Sequence, residues 1–359
     1  MKFNRKTSWL IFIVITFFIF NPLSVATSNE FVLEIREIGQ FDFSGYTYAV
    51  KVVDDIAYVT CGDFYLLNIS DPSSITEISS FPLYRGHNFR IKDDIAYITD
   101  EIFGLKLLNI SDPSNPNLIS QINDGGTVGD LFIVDNLVYV ADVDDGLEII
   151  DVSNATNPTK IAQYDEEGGI STVLIQEEIL YTIIFRVDGR SWLNIMDISD
   201  IENMVVLGSY DVNILAHDIA VEDGVAYVAN KEDGIMLLNV TDPTNIELLS
   251  SEDIEGTIEN LYTEDNLVYL ANKIAGVQVY DVIDPLDIQK VGEFVDVGNP
   301  QDVEVIDNLI YVTDSSEGLE ILEINGLDKL RETSGYSFLV FISAVVALFI
   351  IKRIRKKLI

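Results

Sequence analysis

The chain has 359 residues, 48% of them hydrophobic, and its 22 basic and 59 acidic residues give a net charge of −37. Such a surface repels nucleic acid and anionic lipid head groups, so we exclude nucleic-acid binding and expect cations or basic partners; solubility or salt adaptation is the simpler explanation. The single cysteine, Cys61, excludes an intramolecular disulfide, so the fold depends on a hydrophobic core, for which the chain is long enough.

The N-terminal residues have the three parts of a secretory signal peptide. Residues 1–6 carry three positive charges, residues 9–20 are apolar, and residues 24–26 are small, as a signal peptidase requires. We therefore predict a signal peptide over residues 1–26. An uncleaved membrane anchor is the alternative.

The C-terminal residues predict a membrane anchor. Residues 336–351 carry no charge and are followed by the sequence KRIRKK. A helix of this length reaches about 24 Å, and snorkelling basic side chains cover the difference to the ~30 Å hydrocarbon core. We expect residues 326–335 to be a short tether, 336–351 a transmembrane helix and 352–359 a basic cytoplasmic tail, with the rest outside the cell. The same pattern also resembles archaeal and bacterial sorting tags, which are cleaved and replaced by a lipid-type anchor.

Between these ends the sequence repeats with a period near 42 residues. A tyrosine in segments such as IAYVT recurs at Tyr58, Tyr97, Tyr139, Tyr181, Tyr227, Tyr269 and Tyr311. Each repeat holds four short runs rich in Val, Ile, Leu and Tyr, separated by turn-forming residues, which is the pattern of β-strands. Seven repeats of four antiparallel strands predict an all-β, seven-bladed β-propeller over residues 31–325.

The last repeat lacks a fourth strand, and the N-terminal segment is a suitable replacement. Repeat 7 ends its third strand at LEILEI (residues 319–324), and a poor strand sequence follows. The segment LEIREIGQFD (residues 33–42) matches the fourth strand of other repeats. We predict that it pairs with the last blade, which closes the ring and removes exposed sheet edges.

The unit DLFIVDNLVYVADVDDGLEIIDVSNATNPTKIAQYD, at residues 130–165, resembles the LVIVD repeat, a propeller repeat of bacterial and archaeal surface proteins. The resemblance extends over about residues 31–325 and is weakest in repeat 4. It implies an extracytoplasmic β-propeller, often within larger adhesion-like proteins, and it supplies no catalytic residues.

The residues favour binding over catalysis. The chain holds two histidines and one cysteine, with no Gly-x-Ser-x-Gly motif and no paired zinc-ligand spacing. We predict that the chain is not an enzyme but a surface module that binds a protein or a glycan through the face directed away from the membrane. The alternatives are a metal-dependent or hydrolytic enzyme with its site at the channel mouth, and a structural component of the cell envelope.

Two rings of residues are expected around the mouth of the channel. The positions ten and nine residues before each repeat tyrosine begin the innermost strands, and they include both histidines of the chain. Polar groups that converge from separate repeats are the usual form of a ligand site. The predicted ligand-binding residues are His87, Asp130, His217, Asp218, Glu259 and Asp302. No cofactor is predicted beyond a divalent cation at this mouth, and a polar channel filled by water is the alternative.

A longer hairpin in repeat 4 is a second candidate contact. It contains Arg186, Arg190 and Trp192, and arginine and tryptophan are over-represented at binding hot spots. In the alternative interpretation, the tryptophan packs between blades and the arginines pair with neighbouring acids.

Two other motifs have a functional and a structural interpretation. The segment DVDDG (residues 142–146) has some likeness to a calcium loop but lacks the twelve-residue pattern. Four sequons could carry glycans outside the cell, although the same residues are ordinary turn formers. The sequon asparagines are Asn68, Asn109, Asn154 and Asn239.

Overall fold

The computed structural model describes residues 32–330, apart from residues 44, 124, 125, 166, 167, 187, 214, 232, 296 and 297. The predicted signal peptide, transmembrane helix and cytoplasmic tail lie outside the described residues. In the described part of the chain, no helix has the length and apolar character needed to cross a membrane. Helix there is limited to a 3₁₀ turn at Pro72–Ser74 and to residues 327–330, so the predicted all-β fold is confirmed.

The strands of the described residues pair in antiparallel fashion. All of them are short except two, which fold back along their length. The first nine are β1 (Glu34–Phe41), β2 (Ala49–Val53), β3 (Ile56–Asn68), β4 (Thr76–Lys92), β5 (Ile95–Asp100), β6 (Gly104–Asn109), β7 (Asn117–Ile122), β8 (Val128–Val134) and β9 (Leu137–Asp142). The next nine are β10 (Gly146–Asp151), β11 (Thr159–Tyr164), β12 (Gly169–Gln176), β13 (Ile179–Phe185), β14 (Ser191–Asp197), β15 (Val205–Asp211), β16 (Ala216–Glu222), β17 (Val225–Asn230) and β18 (Gly234–Asn239). The last eight are β19 (Glu247–Glu252), β20 (Ile258–Glu264), β21 (Leu267–Asn272), β22 (Gly276–Asp281), β23 (Gln289–Phe294), β24 (Pro300–Ile306), β25 (Leu309–Asp314) and β26 (Gly318–Asn325).

Most of these strands form four-stranded sheets in which chain neighbours pair. Four of the sheets are β8–β11, β12–β15, β16–β19 and β20–β23, and a fifth contains β24–β26 with β1. Strands β2–β7 form one six-stranded sheet with two long strands. β3 turns back at Gly62, so that residues 56–60 pair with β2 and residues 62–68 with β4, while β4 changes its partner from β3 to β5 at Gly86. The pairing within this sheet therefore repeats the four-stranded pattern twice.

The N-terminal strand completes the sheet of the last repeat. β1 pairs with β26 from Glu34↔Asn325 to Phe41↔Leu319. The N–H of Leu33, just before β1, also donates a 2.6 Å hydrogen bond to the carbonyl oxygen of Val291 in β23 of the neighbouring sheet. The prediction that the N-terminus supplies the missing outer strand is confirmed.

The first strand of each four-stranded set contacts the first strands of the neighbouring sets. The contacts run from β2 to β4, then to β8, β12, β16, β20 and β24, and from β24 back to β2. These innermost strands therefore surround a common axis, and the fold is β-propeller-like.

The hydrophobic core lies between adjacent sheets rather than at one centre. One cluster joins Ile183 and Leu193 of repeat 4 to Ile219 and Val228 of repeat 5, and similar clusters lie between other neighbouring sheets. The repeat tyrosines are buried in every repeat. Because a sheet between two neighbours is covered on both faces, its inner strands are nearly continuous apolar runs.

The closing strand β1 meets repeat 1 at a position where a side chain does not fit. A Cβ atom added to Gly39 would collide with the carbonyl oxygen of Pro72 in the 3₁₀ turn. We expect Gly39→Ala to lower the free energy of unfolding by roughly 1–3 kcal/mol, because the turn or the strand must move. Chemical denaturation measures this loss. The matched control is Gly129→Ala, whose Cβ would meet its nearest atom at 3.5 Å, and equal losses for the two variants would contradict the prediction.

Candidate functional site

A cavity of about 470 Å³ opens where the innermost strands begin. We call its walls the mouth. The first ring of its lining comprises Tyr48, His87, Gly129, Ser171, His217, Glu259 and Gln301, and the second ring comprises Ala49, Asn88, Asp130, Thr172, Asp218, Asn260 and Asp302. The structure thus brings all six residues predicted from the repeat spacing to one cavity. Its volume lies within the range of small-ligand sites.

A β-bulge explains why two consecutive residues of an inner strand both line the cavity. The register between β16 and β17 skips His217, and the same skip occurs at Glu259 in β20 and at Gln301 in β24. Successive side chains of a regular strand point to opposite faces, whereas a bulge re-aims one of them. The first-ring residue is the extra residue of the bulge in these strands.

The second ring holds neighbouring repeats together. A carboxylate oxygen in one inner strand accepts a hydrogen bond from a backbone N–H of the next inner strand. The bonds run to Asp130 from Val173 at 3.0 Å, to Asp218 from Leu261 at 3.0 Å, and to Asp302 from Val50 at 2.9 Å. The last of these joins repeat 7 to repeat 1. We call these contacts the inter-repeat bonds, and they give three of the predicted site residues a structural role.

Two carboxylates at the mouth, those of Asp218 and Asp302, have raised pKa values. Burial raises the pKa of Asp218 to about 7, the nearby charges of Asp130 and Asp302 act in the same direction, and the N–H groups of Leu261 and Ile219 oppose it. The side chain remains partly accessible from the cavity, so solvent moderates the effect of its protein surroundings. Asp218 therefore keeps its proton to a higher pH than an ordinary aspartate does.

Glu259 is surrounded by basic groups. Its Oε1 lies 2.6 Å from Nζ of Lys273 and 3.5 Å from Nζ of Lys231, and its Oε2 lies 3.8 Å from Nε2 of His217. Burial alone would raise the pKa of Glu259, but the hydrogen bond from Lys273 and the charges of Lys231 and Lys273 hold it below its usual value. This carboxylate therefore stays charged, and it is neutralised from within the protein.

The tautomer of His217 follows from its contact with the main chain. Nδ1 lies 2.8 Å from the carbonyl oxygen of Glu259, and a carbonyl oxygen can only accept, so Nδ1 carries the hydrogen. Burial and the charge of Lys231 lower the pKa of His217. The ring is then neutral at pH 7, and Nε2 is a hydrogen-bond acceptor for a ligand.

A row of aromatic rings lies where repeats 1 and 2 meet at the mouth. The ring centres of Tyr46 and Tyr48 are 6.1 Å apart, and those of Tyr48 and His87 are 5.1 Å apart. The side chain of His87 is exposed to solvent at the mouth. Desolvation by the groups around it lowers its pKa. These rings offer flat apolar faces beside a polar cavity.

Sequence reasoning missed the basic residues of the mouth. Lys51 and Arg90 line the cavity and lie seven residues before a repeat tyrosine, whereas Lys231 and Lys273 lie four residues after one. Arg90 donates a 2.9 Å hydrogen bond to Asn88. These basic residues could have been found by aligning the repeats, because charges that are far apart along the chain recur at fixed distances from the tyrosines.

The hairpin of repeat 4 contains a cation–π contact and an ion pair. The guanidinium of Arg186 lies 4.4 Å from the ring centre of Trp192, and Arg190 forms an ion pair with Asp211. Trp192 is half-buried, and its indole Nε1 is buried with no hydrogen-bond partner among the described residues. One arginine thus pairs with an acid and the other stacks on the tryptophan. The side chains of Arg186, Arg190 and Trp192 do not line the mouth.

The sequon asparagines form turns. Their Oδ1 atoms accept the N–H of the residue two positions later, at 3.0 Å for Asn68, 2.9 Å for Asn109, 3.3 Å for Asn154 and 3.1 Å for Asn239. Asp151 and Asp197 make the same bond in repeats 3 and 4. The predicted turn role is confirmed, and the strand registers put these turns at the opposite end of the strands from the mouth.

A group of three acids close enough to share a metal ion occurs once within the described ranges, and it lies away from the mouth. It comprises Asp142, Asp145 and Glu148 in the hairpin between β9 and β10. The group contains two acids of the DVDDG segment together with Glu148, which the sequence motif did not include.

Comparisons with known proteins identify the repeat and the fold. The sequence profile of the LVIVD repeat matches residues 44–82, 87–124, 125–166, 215–253 and 297–334, which is more than half of the chain. No curated protein matches the chain. The computationally designed Ika8 protein, a solved structure, has a TM-score of 0.61 over 80% of this chain and 99% of that chain, at 11% identity. This likeness shows the fold alone, and the profile match confirms the resemblance inferred from the sequence.

We expect Asp218→Asn to stabilise the protein more at pH 8 than at pH 5. The folded state holds a proton at Asp218 up to about pH 7, whereas the unfolded state releases it near 3.8, so stability falls as pH rises through this window. One such group contributes at most about 1.4 kcal/mol per pH unit, and asparagine removes the titration while keeping an acceptor for Leu261. Melting temperatures of the variant and the wild type from pH 5 to 8 measure the difference.

The matched control for this experiment is Asp112→Asn. The hydrogen bonds from Ser114 lower the pKa of Asp112, so its titration lies below pH 5 and the effect of this variant should be constant from pH 5 to 8. A difference between Asp218→Asn and the wild type that does not grow with pH would contradict the prediction.

Proposed function

The chain belongs to the LVIVD repeat family, and we propose that it is a seven-bladed, surface-anchored β-propeller whose mouth binds the end of a glycan chain. Seven equally spaced tyrosines, the recurrent four-stranded pairing and the cyclic order of the innermost strands support the blade count. The glycan-binding role depends on the composition of the mouth.

The observation that carries this proposal is the shape and lining of the cavity. A typical protein–protein interface covers about 800 Å² of each partner and has an apolar core. The mouth is instead a concave site of about 470 Å³ with polar residues from separate repeats around it. Such a site suits a small ligand or the end of a chain rather than a flat protein surface.

The hydrogen-bonding groups of the mouth suit a ligand rich in hydroxyl groups. A hydroxyl both donates and accepts, so it can bind the Nε2 acceptor of His217, the amide of Gln301 and the guanidinium of Arg90 alike. The neighbouring rings of Tyr46 and Tyr48 offer faces on which a sugar ring can pack. Donors, acceptors and aromatic faces together support a glycan over an apolar ligand.

Charge at the mouth differs from that of the rest of the protein. The net charge of the chain is −37, yet the four acids that line this cavity, Asp130, Asp218, Glu259 and Asp302, are matched by four basic residues. Lys51 and Arg90 line the cavity, and Lys231 and Lys273 contact Glu259. Because Lys231 and Lys273 already neutralise Glu259, this carboxylate adds little to the binding free energy of a cationic ligand. The local balance of charge supports a neutral glycan.

The orientation of the mouth is also part of the proposal. We propose that residues 1–26 direct the chain out of the cell, and that residues 336–351, or a lipid-type anchor that replaces them, hold it there. β26 ends at Asn325, at the same end of the strands as the sequon turns. A chain that enters the membrane from this end would direct the mouth away from the cell, and glycans on the sequons would lie on the membrane side.

We expect the purified protein to bind members of a panel of neutral, uronic-acid-containing and sulfated oligosaccharides. Tyr48→Ala and Gln301→Ala should each weaken binding about tenfold, or about 1.4 kcal/mol, because both side chains line the cavity. Binding on a glycan array followed by titration calorimetry measures this. The control is the triple variant of the repeat 4 hairpin, Arg186→Ala, Arg190→Ala and Trp192→Ala, which should bind normally. Failure of the wild type to bind any member, or loss of binding only in the triple variant, would contradict the proposal.

We expect the anchor to decide where the protein is recovered. A chain that ends at Ser334 lacks the apolar segment and should be released to the medium, whereas the full chain should fractionate with membranes. Fractionation of cells that express either form tests this. Recovery of both forms in the same soluble fraction would disprove the anchor.

A further inference from the structure

The hairpin between β9 and β10 holds three carboxylates at short distance. Oxygen atoms of Asp142, Asp145 and Glu148 all lie within 4.8 Å of one another. Asp142 is completely buried and Glu148 is 3% exposed, while Asp145 faces solvent. Two oxygens on opposite sides of a calcium ion are at most about 5 Å apart, so the three can reach one ion.

The carboxylate of Asp142 is only half satisfied. Its Oδ1 accepts the N–H groups of Asp144 at 2.7 Å and Asp145 at 2.9 Å. Its Oδ2 is buried and has no hydrogen-bond partner among the described residues. Buried polar atoms without a partner are rare in native proteins, because desolvation is costly unless a partner or an ion replaces the water.

Equivalent positions in other repeats show what satisfies this oxygen elsewhere. In repeat 2, Oδ2 of Asp100 accepts the N–H of Tyr84 at 3.0 Å, and in repeat 6 the corresponding atom is Nδ2 of Asn272, which donates to the carbonyl oxygen of Glu255. In repeat 7, Oδ2 of Asp314 accepts the N–H of Asn299, twelve residues before the repeat tyrosine. In repeat 3 that N–H belongs to Thr127, and it donates instead to Asp144 at 3.1 Å. The hydrogen bond that Oδ2 receives in repeat 7 is therefore diverted to Asp144 in repeat 3, which leaves Oδ2 of Asp142 without a donor among the described residues.

The partner residue on β10 also differs between repeats. Repeat 2 pairs Asp100 with Lys106 at 2.5 Å, and repeat 6 pairs Asn272 with Gln278 at 3.2 Å. Repeat 3 has Glu148 and repeat 7 has Glu320 at this position, but among the described residues only repeat 3 brings three acids close enough to share an ion. Lys160 contacts Glu148 at 3.1 Å, which supplies one positive charge to a group of three carboxylates. The group therefore holds three acids where the pair in repeat 2 holds one acid and one ammonium ion.

We propose that Asp142, Asp145 and Glu148 bind a calcium ion, which takes the place that the ammonium of Lys106 occupies in repeat 2. Carboxylate oxygens are hard ligands that suit calcium, and water molecules can complete its flexible coordination shell on the exposed side at Asp145. Magnesium demands a nearly ideal octahedron and loses water reluctantly, so it fits less well. This site does not depend on the proposed function of the mouth.

Thermal unfolding and titration calorimetry of the full chain test the site. Millimolar calcium should raise the melting temperature by about 2 °C or more, as expected for the affinities of extracellular calcium modules, and magnesium should raise it less. Asp142→Asn should abolish the shift. Glu148→Lys copies the pair of repeat 2, so it should fold, melt at least as high as the calcium-free wild type and show no response to calcium.

The matched control is Asp233→Asn, in the equivalent turn of repeat 5, where Asn230 takes the place of Asp142. This variant should keep the full calcium response. A wild type with neither heat nor a shift at millimolar calcium would overturn the proposal, as would an unchanged response in Glu148→Lys. An equal response to magnesium would overturn the assignment to calcium. If Asp142→Asn fails to fold, Glu148→Lys alone decides.

Discussion

The closed circuit of repeats depends on a hydrogen bond from a backbone N–H to the side chain of the preceding inner strand. Asp130, Asp218 and Asp302 accept such bonds as carboxylates, and Asn260 accepts a longer one, at 3.4 Å, as an amide. A hydrogen bond to a charged group contributes about 1.5–3 kcal/mol, and a buried carboxylate without it would be strongly unfavourable. The bond from Val50 to Asp302 and the pairing of β1 with β26 therefore join the ends of the repeat array in a protein with a single cysteine.

The same geometry separates the structural residues of the mouth from those available to a ligand. The bulge that aims a second-ring carboxylate at the next strand leaves the first-ring residue without a cross-strand partner, pointing toward the axis. The second ring is therefore constrained by packing, whereas first-ring side chains can vary without breaking the circuit. The first ring is accordingly diverse, with aromatic, imidazole, hydroxyl, carboxylate and amide groups. Chemical specificity can change at this ring while the fold stays the same.

Much of this architecture could be predicted because repeat spacing and strand alternation are properties of the chain itself. The tyrosine period located the four-stranded pattern, the segment at 33–42 had the pattern of a missing strand, and the count back from each tyrosine located both rings. The roles of the acids could not be predicted, because Asp218 has the same sequence pattern whether it accepts a backbone N–H or a ligand. Glu148 was missed for a related reason: it lies six residues after Asp142 but on the paired strand, so a local loop motif does not include it.

The repeats also show several ways to satisfy one buried hairpin position in a very acidic protein. Repeat 2 uses an ion pair between Asp100 and Lys106, and repeat 6 uses two amides, so neither requires anything from solvent. Repeat 3 places acids at both positions, and the N–H that would bind Asp142 is used by Asp144. With 59 acidic residues against 22 basic ones, the chain has few cations to distribute among its repeats. Lysines balance the charge internally at the mouth and in repeat 2, whereas in repeat 3 three acids share the contact of Lys160 with Glu148, which is why we place the proposed cation there.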